Sequence, residues 1–340
     1  MKKTLILATA AAALFVPQTR TAADDVVYVR SLERELRLLR TSLKETNQHV
    51  RALQLEIAAL NATVAQLTTQ VGLLRGGVPA AVTPIRPKPA PAGRHELVIR
   101  VSKDNWGQSG IKDMEKVCHS AAGELWQHFS GRRLSTIVIR RSTSGPITLY
   151  QRGPDGEYIV RLDSADRHWA QLAYQFAHEF CHILTNYGEK ASRKNHWFAE
   201  SLCEMASIYA LRRMAVTWKT KPPYPNWKSY APSLETYAEK NLKNKDRQLP
   251  ANTTLAQWYK ANEAELRKSG YSRDRNAVAA YQMLPLFEAD PAGWEAVGYL
   301  NIAKLDADES FSGYMTGWYD SAPTRHKPFV KKIMKLFGLD

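Results

Sequence analysis

Apolar residues recur every seven positions near the start of the chain: Val29, Leu36, Leu43, Val50, Ile57, Val64 and Val71. A second series follows each by three residues: Leu32, Leu39, Thr46, Leu53, Leu60, Leu67 and Leu74. Thr46 is the only polar member, and no proline falls between Val26 and Gly76. A seam of this kind, repeated over seven heptads, predicts a coiled-coil helix over 26–75. β-Branched residues fill the later a positions and leucine the d positions, the pairing that favours two parallel strands. A parallel homodimer is therefore expected. Packing of the helix on its own globular domain is the alternative, but a narrow seam suits a partner helix better than a broad surface. The rod would be roughly 70 Å long at 1.5 Å per residue.

The pattern changes on both sides of this segment. Residues 1–23 combine Lys2 and Lys3, an apolar run over 5–16 and the small residues Ala22 and Ala23. The run is too short to span a bilayer, so 1–23 reads as a secretory signal peptide. An exported chain is expected, in a bacterial periplasm or at the cell surface. Residues 76–94 carry Pro79, Pro84, Pro87, Pro89 and Pro91, which favour an extended, fairly stiff linker. From 95 to 340 the pattern is that of a globular α+β domain. Strands are expected at 96–101, 134–140, 147–151 and 158–162, with a helix over 111–129 stopped by Gly131. Helices follow near 233–246, 253–268, 274–289, 309–320 and 327–337. A loop rich in proline and aromatic residues over 221–232 is placed to wall a cleft.

Composition narrows the function classes. The 340 residues carry a formal net charge of +14. No dense Lys/Arg run is interleaved with aromatics, so nucleic acid is not the expected partner. The basic excess suits solubility, or attraction to an anionic cell-surface polymer or membrane surface. Cys118, Cys181 and Cys203 are spaced neither as a zinc knuckle nor as a disulfide framework. They read as buried thiols, with a single bridged pair as the alternative.

The chemistry concentrates at His178-Glu179-Phe180-Cys181-His182. On a helix, His178 and His182 lie one turn apart on one face and can aim two imidazoles at one point. Glu179 sits beside them, close enough to hold a water. Two neutral imidazoles and a carboxylate are what a catalytic zinc takes from one helix. Trp169, Leu172, Phe176, Phe180 and Ile183 form a separate apolar stripe that would bury the helix, and Gly188 offers a stop. After a loop over 185–195, a second helix carries Glu200 and Glu204 on a shared face. Glu200 reads as the third zinc ligand. Glu204 reads as the acceptor for the far nitrogen of a ligand histidine, fixing its tautomer.

His178-Glu179-x-x-His182, followed by Trp197-Phe198-Ala199-Glu200 and then Glu204, resembles the gluzincin zinc metallopeptidases, the thermolysin-like group with a peptidase MA-type domain. The chain departs from that pattern at Ser201, often glycine, at Glu204, often aspartate, and at Cys181. The resemblance spans roughly 95–214. It implies a zincin-like fold, one Zn²⁺ held by His178, His182 and Glu200, and Glu179 as the general base of peptide-bond hydrolysis. It implies an edge strand that takes the peptide or protein substrate as an added strand, with 147–151 and 158–162 both eligible. It also implies an oxyanion stabiliser from the C-terminal half, for which Tyr281 and His326, then Tyr314 and Tyr319, are candidates. His196, four residues before Glu200, reads as a cap or surface residue that borders the cleft at most. Two other readings stand beside this one: a non-catalytic coiled-coil scaffold with a degenerate zinc-binding module, and a zinc amidase acting on cell-wall crosslinks.

Overall fold

The computed structural model describes residues 96–188 and 193–339. The chain divides into two units, Met1–Pro87 and Lys88–Asp340. The signal, coiled-coil and linker expectations, and the dimer that rests on them, lie outside the described residues.

Strand β1 (Ile99–Val101), helix α1 (Ile111–Trp126) and strand β2 (Ile137–Arg141) form a β-α-β unit with β1 and β2 parallel. Strand β4 (Tyr158–Leu162) joins β2 in parallel, and the short β3 (Ile147–Thr148) pairs with β4 antiparallel. The order is β1-β2-β4-β3, so β3 ends the sheet. Alternation along the strands sets which face is covered. Ile99, Val101, Ile137, Ile139, Val160 and Leu162 are buried, while Arg100, Arg140 and Arg161 point to solvent. The expected strand over 147–151 is confined to its first two residues, although the amide of Leu149 still donates to Ile159 O at 2.9 Å.

Helix α1 buries Met114, Val117, Cys118, Ala121, Ala122 and Leu125, a three-and-four spacing that faces α2 (Trp169–Leu184). The expected stripe of α2 is buried in full, from Trp169 to Ile183. The stop of α2 differs from expectation. It comes at Leu184, ahead of Gly188, and Asn186 turns the chain at φ 55°. The Asn186 amide donates to Gly298 O and Leu300 O at 2.7 and 2.9 Å. Arg132 donates to the carbonyls of Ile183 and Leu184 at 3.0 and 2.6 Å. The end of the motif helix is therefore clamped by two distant segments.

Helix α3 (His196–Thr217) is the centre of the domain. It is buried on nearly every side, against α1, α2, α4 (Ala231–Leu242) and α6 (Arg273–Ala289). Small residues permit this crowding: Ser201, Cys203, Ala206, Ser207 and Ala210 are all inaccessible to solvent. Helix α5 (Leu255–Lys268) starts at a capping box made by Thr254 and Gln257. The short α7 (Gly293–Val297) lies in a stretch where no helix was expected. It precedes α8 (Phe311–Ser321) and α9 (Lys327–Leu336). Trp197, Phe198, Tyr259, Phe311 and Phe337 pack ring against ring where these last helices meet the start of α3. All three cysteines are buried free thiols. Among the described residues, no helix is long and apolar enough to cross a membrane.

Candidate metal centre

Helices α2 and α3 pack side by side, and their facing sides carry the motif residues into one cavity of about 460 Å³. His178, Glu179 and His182 line it from α2, and Glu200 and Glu204 from α3. Gly145, Pro146, Ile147 and Thr148 form the opposite wall at the sheet edge, so of the two eligible strands it is β3 that borders the cavity.

The distances suit a metal. His178 Nε2 lies 3.2 Å from Glu200 Oε2, and His182 Nε2 lies 3.5 Å from Glu200 Oε1. Ligand atoms about 2.0–2.2 Å from a tetrahedral zinc stand roughly 3.3–3.6 Å apart. The His178 and His182 rings are 5.0 Å apart between centroids, close to the ~5.2 Å expected of two imidazoles bound through nitrogen to such an ion. His182 Nδ1 is buried without a hydrogen-bond partner among the described residues.

A second donor set competes on distance alone. His178, His182 and Cys203 each offer an atom, all within 4.8 Å of one another. Burial pushes the Cys203 thiol well above its usual range in the metal-free protein. Glu200 is already ionised: burial raises its carboxyl, but His182 and His178 outweigh that and bring it to about 2. Both donor sets share His178 and His182.

The electrostatics separate the other groups by role. Burial pushes His182 down to about 3, keeping its imidazole neutral. Burial also pushes His178 down, but the hydrogen bond and charge of Glu200 prevail and lift it to about 9. Burial raises Glu179 to about 7, against the opposing charge of His178 and a hydrogen bond from Thr148. The Thr148 hydroxyl lies 2.8 Å from Glu179 Oε2 and 2.9 Å from Glu179 O, tying the carboxylate to the sheet edge. A carboxyl that titrates near neutrality, in a cavity beside two histidines, is suited to take up and return a proton.

Glu204 is 3% exposed, and its two oxygens face different ways. Oε2 stands 4.0 Å from His178 Nδ1, on the expected side of the ring but beyond hydrogen-bond range. Oε1 accepts from the Tyr174 hydroxyl and from Arg247 at 3.3 Å. Arg247 also reaches Asn241 Oδ1 and Asp274 Oδ1, each at 3.0 Å.

The expected oxyanion candidates stand elsewhere. Tyr281 is buried beside Arg247 and Glu204 and does not line the cavity. His326 is held 3.2 Å from Glu295 near the start of α9. Tyr314 donates to Asn301, and Tyr319 packs under Lys327. The tyrosines that do line the cavity are Tyr174, Tyr187, Tyr237 and Tyr271. Sequence reasoning also underrated His196. Its Nε2 is 3.4 Å from Glu200 Oε1, and its ring stacks on Tyr187 at 4.9 Å. Its position one helical turn before Glu200 was the available signal.

The chain gave no match to protein-family models, to curated proteins or to solved structures.

Proposed function

We propose that the chain is a zinc-dependent metallopeptidase of gluzincin type, with a zincin-like domain over 95–340. The observation that carries the reading is the convergence of His178 Nε2, His182 Nε2 and both Glu200 oxygens at 3.2 and 3.5 Å, with Glu179 beside them. His178, His182 and Glu200 would hold the ion. When bound, zinc supplies a Lewis acid that polarises the scissile carbonyl and makes a water acidic near neutral pH.

The chain's own groups do the rest. Glu179 takes the proton of the attacking water and later passes it to the departing amine nitrogen. Thr148 keeps the Glu179 carboxylate turned to the cavity through its hydroxyl at 2.8 Å. Strand β3 ends the sheet, and its Ile147 is 48% exposed. An extended peptide laid along β3 would run past Glu179 and gain main-chain hydrogen bonds without regard to sequence. Export by the 1–23 signal and pairing through 26–75 complete the proposal as an exported, dimeric peptidase.

The test is cleavage of mixed peptide and muropeptide pools by the purified full chain, with and without chelator, beside Glu179→Gln. Cleavage of peptides that stops with chelator is expected. Glu179→Gln should retain zinc and lose ~10²–10⁴ in rate, because the amide keeps the shape but takes no proton. Undiminished turnover by Glu179→Gln would place the base elsewhere. Cleavage confined to muropeptides would convert the reading to a wall amidase.

A further inference from the structure

His196 carries an inference that rests on the zinc reading and goes beyond it. The residue opens α3, one turn before Glu200, and its side chain is only 11% exposed. Its Nε2 is buried without a hydrogen-bond partner that meets normal geometry. A buried ring nitrogen left in that state is destabilising unless something nearby uses it. The nearest charged acceptor is Glu200 Oε1, at 3.4 Å.

The ring cannot swing away. On one side it stacks against Tyr187, with planes 24° apart and centroids 4.9 Å apart. On another, Gly270 lies so close that a Cβ there would meet His196 Nδ1 at 2.8 Å, Cβ at 3.0 Å and Cγ at 3.2 Å. Tyr271 closes the third side, edge to face at 5.1 Å. The enclosure points Nε2 at Glu200.

His196 is not a tetrahedral ligand beside His182. Their centroids are 6.4 Å apart, against the ~5.2 Å of tetrahedral neighbours, whereas His178 and His182 are 5.0 Å apart. Glu200 Oε1 faces His196 at 3.4 Å while Oε2 faces His178 at 3.2 Å. Oε1 is thus shared between His196 outside the ligand set and His182 at 3.5 Å within it, while Oε2 faces His178.

We propose that His196 is the positioning residue of Glu200: its Nε2–H holds Oε1 and so fixes the orientation of the carboxylate that His178 and His182 face. Outer partners of this kind are worth about 10–100-fold in metal affinity. The neutral imidazole must carry its proton on Nε2 to do this. Glutamine places an amide N–H near the same point, whereas alanine offers none.

The experiment is a competition titration of zinc into the full chain against a chromophoric chelator. Wild type, His196→Ala, His196→Gln and Gly270→Ala are compared, with folding of each checked by circular dichroism. His196→Ala should bind zinc about 10–100-fold more weakly than wild type. His196→Gln should lie within about threefold of wild type, and Gly270→Ala should weaken binding by pressing on the imidazole from outside the cavity. The Co²⁺-loaded protein supplies a second readout. His196→Ala should keep the visible band intensity of wild type, because no ligand is lost. Equal affinity in wild type and His196→Ala overturns the inference while leaving the zinc reading intact. A drop in ligand number in the cobalt spectrum of His196→Ala overturns it in favour of direct ligation. A wild-type chain that binds no zinc removes both.

Discussion

Arg247 approaches Glu204 from outside the two motif helices, and its removal should be felt throughout the domain. Glu204 is 3% exposed, and Arg247 Nη1 lies 3.3 Å from its Oε1. Arg247→Met keeps most of the side-chain length and removes the charge. The carboxylate then keeps only the Tyr174 hydroxyl as a close donor. Breaking one side of a buried ion pair costs about 3–5 kcal/mol. Arg247 is itself 12% exposed, so solvent relieves part of the loss and the lower figure, about 3 kcal/mol, applies. A domain of this size loses about 2–4 °C of Tm per kcal/mol, which gives a fall of about 6–12 °C. Glu204→Gln should cost less, about 1 kcal/mol, because Arg247 keeps Asp274 and Asn241 at 3.0 Å. The double variant should recover stability relative to Arg247→Met, with a coupling of at least about 1.5 kcal/mol. Thermal and urea unfolding should be followed in chelator, so that metal binding adds nothing to the native state. An Arg247→Met chain that unfolds within about 1 °C of wild type would refute the buried-pair argument. So would a double variant no more stable than Arg247→Met.

Three further outcomes are expected. Glu200→Ala should lose stoichiometric zinc, and metal analysis that finds it undiminished would remove Glu200 from the ligand set. Glu295 is raised by burial, but the Ser130 hydroxyl at 2.6 Å, the Ser130 amide, Arg325 and His326 prevail and hold its carboxyl below the usual glutamate range. The folded value lies below the unfolded one, so its stabilisation is complete above the unfolded pKa and drains away as pH falls through the folded one. Glu295→Gln should therefore lower Tm at pH 7 by a margin that shrinks as pH falls through the folded pKa, and a pH-independent difference would contradict this. Light scattering should give a dimer for the full chain and a monomer for Val50→Asp, Ile57→Asp. A wild-type monomer at micromolar concentration would return 26–75 to its own domain.

The parts of the site that were legible beforehand are those fixed by one helix at a time. His178 and His182 share a face because of the 3.6-residue period, and Glu200 and Glu204 share theirs for the same reason. The strand alternation was equally plain, since Ile137, Ile139, Val160 and Leu162 had to choose one side. What escaped is set by contacts between distant segments. Nothing local distinguishes β3 from β4 as the sheet edge. That depends on β4 pairing with β2, which inserts it between β2 and β3. The stop of α2 depends on Arg132 and on the carbonyls of Gly298 and Leu300, not on the next glycine.

The same distinction explains the candidate tyrosines. An aromatic residue in a helical pattern announces burial but not what it is buried against. Tyr281 and Tyr314 are both buried on helices, yet one backs the Glu204 network and the other donates to Asn301. Tyr187 and Tyr271 follow the ends of helices, where periodicity carries no signal, and the fold turns both to the cavity. His196 stands between these cases. Its spacing to Glu200 was visible, but its burial depends on Gly270, which follows the end of a helix more than fifty residues later. A glycine there admits the imidazole, and a larger residue would press on it. On the zinc reading, the metal position would be specified locally by α2 and α3, and the orientation of Glu200 within it by the loop before α6.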